Sequence, residues 1–141
     1  MKVTTLFVKP LAQVKRYHWR LMSEYVRRRD NGQCFTCNSH HEWNEMEAGH
    51  FIHSGNTENF WLDSCLDNIH CQCTGCNHYK SGNGIIYNDR MIARYGTRKV
   101  NRIKKLKSKD TNVTHDIVIK EIIKLKLLLQ TLNDQGNNCV S

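Results

Sequence analysis

A small α+β domain with helices at both ends is the fold that this 141-residue sequence predicts. Three observations carry it. Two Cys-x-x-Cys pairs, Cys34 with Cys37 and Cys73 with Cys76, bracket a compact centre. Between them runs "EMEAGHFIH" (45–53), a short strand-like stretch beside turn-rich segments. On either side, apolar residues recur at helical spacing. A chain of this length has room for one small domain with extensions.

From the N-terminus, residues 14–29 place Val14, Tyr17, Leu21, Met22, Tyr25 and Val26 on one helical stripe. Arg27, Arg28 and Arg29 close that helix, where positive charge suits the dipole. "DNGQC" (30–34) is a turn into the first cysteine pair, and "SGNTEN" (54–59) is a loop by composition. A helix begins over 77–80 and breaks at 81–84, and "IIYNDRMIARYG" (85–96) reads as another helix ending at Gly96. "RKVNRIKKLKSK" (98–109), seven basic residues in twelve, reads as a basic linker. The last helix, over 114–134 with Thr114 as its cap, carries Val118, Ile122, Leu125, Leu129 and Leu132 in 4-3-4-3 spacing. Such a seam must pack on the domain or on a second copy, which makes a homodimer through 114–134 a candidate. The organisation expected is a basic helical arm over 1–33, a metal-bound core over 34–96, and a basic linker with an amphipathic helix over 97–141.

Charge follows the same division. The net charge of +8 splits into +6 over 1–33, −4 over 34–96 and +6 over 97–141. Two basic flanks around an acidic centre fit a polyanion-binding protein with a cation-binding core, and nucleic acid is the first partner to consider. No stretch approaches the ~20 apolar residues of a membrane span. The start lacks the apolar core and cleavage site of a signal peptide, so a cytoplasmic protein is expected. Seven cysteines, an odd number with two matched pairs and no export signal, favour metal over disulfides.

The metal expected is zinc. Each Cys-x-x-Cys sets two sulfurs on one side of a tight turn, and two such turns complete a tetrahedron. Four thiolates leave no open position for water, so this zinc is structural. Cys65, Cys71 and Cys139 remain over, with Cys71 close enough in sequence to compete as a ligand.

The second pair sits in "CTGCNHYKSGN" (73–83), where Asn77 follows Cys76 directly. The order CFTC, AGHF, LDNIHCQC, CNHYKSGN resembles the HNH, or ββα-metal, nucleases, and more narrowly the NinG (Rap) recombination proteins of lambdoid phages, over residues 20–96. The resemblance implies a zinc-stapled ββα-metal core of treble-clef type. It implies a metal-dependent endonuclease for branched DNA such as four-way junctions and flaps, with Mg²⁺ or Mn²⁺ as the catalytic ion. It implies that Asn68 braces the loop carrying His50 and holds its ring, and that Lys80 meets a phosphate.

The residue chemistry agrees. Hydrolysis of a phosphodiester needs a base for water and a cation for the developing charge. His50, with an unperturbed pKa of ~6.5, suits the first role. Asn77, fixed by Cys76, offers Mg²⁺ an oxygen. Many HNH nucleases carry a metal-binding Asp before the base, whereas Gly49 stands here, so Asp63, Asp67, His53 and His70 are candidates to complete the shell. His78 is a candidate ligand too. Arg27, Arg28, Arg29, Lys104, Lys105 and Lys107 are candidate DNA contacts. A non-catalytic zinc-finger DNA-binding module is the alternative, and an RNA-binding accessory a weaker third.

Overall fold

The computed structural model describes residues 1–55, 58–109 and 112–138, with the side chains of 136–138 outside the description. Cys139 lies beyond the described residues. The elements are α1 (Leu11–Arg29), β1 (Glu47–His50), α2 (Phe60–Asp63), β2 (Ile69–Gln72), α3 (Gly84–Tyr95), α4 (Thr97–Lys105) and α5 (His115–Asn138). Among these residues β1 and β2 form a single antiparallel pair, with Glu47 opposite Gln72 and His50 opposite Ile69.

The first helix is not an arm. Its stripe of Val14, Tyr17, His18, Met22 and Val26 is buried, and α1 packs against α5 on one side and the hairpin on the other. Val118, Ile122, Leu125 and Leu129 of α5 are buried against it. Four of the five seam residues that suggested a dimer are therefore buried within the chain, and Leu132 stays partly exposed. Residues 97–105 are likewise not a linker. They form α4, whose Val100 and Ile103 sink into a cluster with Tyr87 and Met91 of α3, while Arg98, Lys104 and Lys105 stay exposed. A basic run and a packed helix are compatible once its apolar residues fall three apart.

Besides α4, the sequence does not announce β2 or α2. All four residues of β2 are buried, so it shows none of the alternation that announces a half-exposed strand. The single turn α2 follows the 54–59 loop and is too short to show helical periodicity. It is set by Asn59, whose Oδ1 accepts from the N–H groups of Trp61 (3.1 Å) and Leu62 (3.2 Å). Asn59 also donates through Nδ2 to the carbonyls of Leu106 (2.9 Å) and Lys107 (3.3 Å), tying α2 to the segment after α4.

Arg29 holds α1 to the hairpin. Its Nε and Nη2 donate to the two carboxylate oxygens of Asp30 (2.7 and 2.9 Å), and Nη1 and Nη2 donate to the carbonyls of Leu66 and Ile69 (both 2.9 Å). Asp30 Oδ2 also accepts from the N–H of Cys71 at 2.8 Å. The guanidinium is thus committed inside the fold, which removes Arg29 from the candidate DNA contacts. Arg27 and Arg28 lie over the Trp43 ring, at 5.3 and 5.6 Å, and Arg28 bonds to the side chains of Glu24 and Asn133.

Breaking a mostly buried, multiply bonded ion pair typically costs 3–5 kcal/mol. Arg29→Ala is therefore expected to lower unfolding free energy by about 3 kcal/mol, and Arg28→Ala by under about 1 kcal/mol, as read from urea titrations of the zinc-loaded proteins. Equal small losses would show that Arg29 is a surface residue after all.

Candidate metal centre and the His50 cleft

The four Sγ atoms of Cys34, Cys37, Cys73 and Cys76 all lie within 4.8 Å of one another. Cys37 Sγ and Cys73 Sγ are 3.8 Å apart, which is about the edge of a tetrahedron built on ~2.3 Å Zn–S bonds. The donor set and its spacing fit zinc. The first knuckle closes through Cys34 N–H to the Ser39 carbonyl (2.8 Å) and Asn38 N–H to the Cys34 carbonyl (2.9 Å), with Asn38 at φ 63°. Phe35 N–H donates to the Cys71 carbonyl (2.8 Å), so the knuckle is joined to β2.

Burial alone would push the Cys34 thiol up, but hydrogen bonds from Thr36 and from backbone N–H groups bring it down to about 6. Cys71 behaves oppositely: burial, with the Asp30 charge nearby, pushes its thiol up to about 12. It stays protonated in the core and is not a competing ligand. Cys65 is half-buried and its thiol is also raised by burial.

Asn77 follows Cys76 in a single wide turn, Gly75–Tyr79, closed by Lys80 N–H to the Gly75 carbonyl (3.0 Å). Its Nδ2 donates to Glu47 Oε2 at 2.6 Å, and Thr74 Oγ1 donates to Glu47 Oε1 at 3.1 Å. His78 Nε2 stands 3.4 Å from the same carboxylate. Glu47 and Asn77 therefore gather hard oxygen donors beside the cysteine cluster, of the kind Mg²⁺ or Mn²⁺ takes.

His50 is held differently. Its Nε2 is 2.9 Å from Asp63 Oδ1 on α2, and its ring stacks on Trp19 of α1 at 4.8 Å and 15°. His53 lies 5.6 Å away, its pKa lowered by burial and then by the charges of His50 and Lys107. Strand alternation turns Glu47 and His50 to opposite faces of β1. The sequence reading had placed His50 and Asn77 in one site. Their hydrogen bonds instead go to different carboxylates.

The remaining candidates sort themselves by environment. Asn68 is fully buried. Its Nδ2 donates to the carbonyls of Ile52 and Leu62 (both 3.1 Å), and its Oδ1 accepts from Ile52 N–H (2.9 Å). It braces the loop after His50, while the ring is held by Asp63 and Trp19 instead. His70 is corrected as a candidate ligand. Both ring nitrogens are taken, Nδ1 by the Tyr87 hydroxyl (3.0 Å) and Nε2 by that of Tyr95 (2.8 Å), and burial lowers its pKa to about 3. Asp67 pairs with Lys99 at 2.6 Å. Lys80, Lys105 and Lys107 are exposed, and Lys104 donates to Asn88 Oδ1 at 3.2 Å.

Gly49 has a physical reason. A Cβ there would come within 2.7 Å of Gln72 Cδ, so a side chain at this position requires the buried Gln72 to move. Gln72 is anchored through Nε2 to Thr36 Oγ1 (3.1 Å) and the Gly82 carbonyl (2.9 Å). Nothing in a one-dimensional reading signalled this pairing.

A cleft of about 400 Å³ opens beside Asp63, walled by Lys15, Arg16, His18, Trp19, Glu58 and Phe60, with Lys15 paired to Glu58 at 3.0 Å. His18 is buried, its pKa lowered to about 4 by desolvation, and its Nε2 has no hydrogen-bond partner among the described residues. Basic, aromatic and neutral imidazole groups thus converge next to the His50–Asp63 pair. Sequence reading missed Lys15, Arg16, Trp19 and this role of Asp63. The signal available was their position on one helix, but not what α1 would face.

The family described as "Bacteriophage Lambda NinG protein" matches residues 1–135. Among curated relatives, "Protein ninG" of Escherichia phage 933W is 29% identical over 106 residues, as is that of Salmonella phage P22, and that of Escherichia phage lambda is 28% identical. Each alignment covers 73% of this chain and 50% of the relative, so the chain spans about half the length of the curated relatives it matches. No solved structure matches the chain.

The cysteine cluster makes a direct prediction. Purified without chelator, the protein should carry one zinc per chain by elemental analysis. Cys37→Ser or Cys76→Ser should lose it and unfold the centre, because binding and folding are coupled. Cys71→Ser should keep its zinc. Retention of zinc by both knuckle variants would contradict the four-sulfur assignment.

Proposed function

The chain belongs to the NinG family of bacteriophage proteins, and from that premise we propose that it is a metal-dependent DNA endonuclease acting on branched recombination intermediates. The observation that carries the proposal is His50, a half-buried imidazole hydrogen-bonded to Asp63 and stacked on Trp19 beside a cleft lined by both bases and acids. Asp63 fixes the ring orientation through Nε2, which leaves Nδ1 to receive a proton from water. That water attacks phosphorus, its proton passes to His50, and the P–O bond to the departing sugar oxygen breaks, with that oxygen taking a proton from solvent water. Trp19 limits the ring's rotation, and Arg16 attracts the strand's phosphates while Lys15 is paired with Glu58.

Glu47 and Asn77 Oδ1, on the other face of β1 from His50, are the side chains that would hold Mg²⁺ or Mn²⁺, and the ion would supply charge stabilisation to phosphate oxygens reaching that face. Zinc keeps its structural role, since four sulfurs close its shell. The separate partners of His50 and Asn77 favour a second reading, a zinc-bound DNA-binding module that cuts nothing. The two readings divide on a cleavage assay.

Wild-type protein with zinc and added Mg²⁺ or Mn²⁺ should nick flap or four-way-junction DNA. His50→Ala should lower the rate by about 10²–10⁴-fold with little change in DNA affinity. Asp63→Asn should cause a smaller loss, and Asn77→Ala a loss partly recovered at high Mg²⁺. If no DNA form is cut, the nuclease proposal fails and the binding module stands. If His50→Ala cuts as well as wild type, the site is misassigned.

A further inference from the structure

A second cleft, of about 570 Å³, lies between the first knuckle and α3, away from His50. It shares no lining residue with the cleft beside Asp63. From Trp19 to Arg29 is ten residues of α1, so the two openings are separated by about 15 Å along that helix. Its chemistry is that of an anion site with an aromatic wall. Arg90 and Arg94 both line it, and neither joins a carboxylate among the described residues. The one acid present, Asp30, is already neutralised by Arg29. Arg90 is oriented by Asn38, whose Oδ1 accepts from Nη1 at 2.9 Å.

The aromatic wall is rigid and layered. His70 is clamped by two tyrosine hydroxyls, and Phe35 stacks on it at 4.0 Å and 23°. The guanidinium of Arg94 lies 5.7 Å over the Phe35 ring and is itself exposed. The Arg94 guanidinium stands 5.5 Å from the Tyr95 ring as well, so a planar cationic layer lies beside two rings at the mouth of the cleft. A planar π-face added to that layer would be stabilised by stacking and by cation–π attraction. In a duplex the bases are stacked on each other and unavailable, whereas an unpaired base is free to enter.

We propose that this cleft holds one nucleotide of single-stranded DNA, with its phosphate on Arg90 and its base against the Arg94–Phe35 stack. The assignment rests on the nucleic-acid reading above and narrows it: the protein would recognise an unpaired strand with one cleft and present His50 from the other.

The test is fluorescence anisotropy with a labelled 12-nucleotide oligothymidylate and, separately, a 12-base-pair duplex, using zinc-loaded protein without Mg²⁺ so that cleavage plays no part. Arg90→Ala/Arg94→Ala should weaken single-strand binding about tenfold and reduce its salt dependence, while duplex binding changes less than about twofold. Arg90→Lys/Arg94→Lys keeps the charge and should restore the salt dependence but not the full affinity, because an ammonium does not stack. Unchanged single-strand affinity in the alanine variant overturns the assignment, as does an equal loss for both DNA forms. If wild type binds duplex but not single strand, this inference falls and the DNA reading survives. If it binds neither, both fall.

Discussion

Four sulfur atoms within 4.8 Å of one another are the constraint on which the centre of this protein depends. The centre has little else to fold with: two strands of four residues, a one-turn helix and a wide turn. A two-stranded pair is marginal in water, and a region this small buries too little apolar surface to order its own loops. A metal that binds 34–37 to 73–76 shortens the search. It fixes both ends of the hairpin segment at once, and Phe35 N–H and Arg29 then fasten β2 to the first knuckle and to α1.

What the staple positions is divided between two faces of one short strand. Glu47 looks towards Asn77 beside the four clustered cysteines, whereas His50 looks towards Trp19 and Asp63. The acidic centre therefore presents a hard-oxygen pair on one side and an oriented imidazole on the other. Around it the basic residues do different jobs. Arg29 holds the fold, Lys15 and Arg16 line the His50 cleft, and Arg90 and Arg94 line the other. A count of charges by segment could not separate these roles.

Much of this was legible in the sequence, for physical reasons. Zinc coordination demands a fixed spacing, so the four cysteines stood out. Helix periodicity located α1, α3 and α5 to within a few residues, with α3 stopping at Gly96 as read. The misses also have causes. Chain order does not say which partner a helix seam meets, so the α5 stripe read equally as a dimer surface. A strand buried on both faces lacks alternation, and β2 was lost for that reason. Side-chain competition is invisible in one dimension: both nitrogens of His70 went to tyrosines 17 and 25 residues away, and Gln72 fills the space a residue at 49 would need.

The central claim is that the metal orders the centre while α1 and α5 are held by their own apolar contact. Amide hydrogen exchange, measured residue by residue before and after zinc is removed by a chelator, tests it most directly. The N–H groups of Phe35, Phe51 and Asn77, each bonded within the centre, should lose their protection together, while those of the buried stripe around Val14 and Ile122 keep most of theirs. Protection at Phe35 and Asn77 that survives zinc removal would contradict the account.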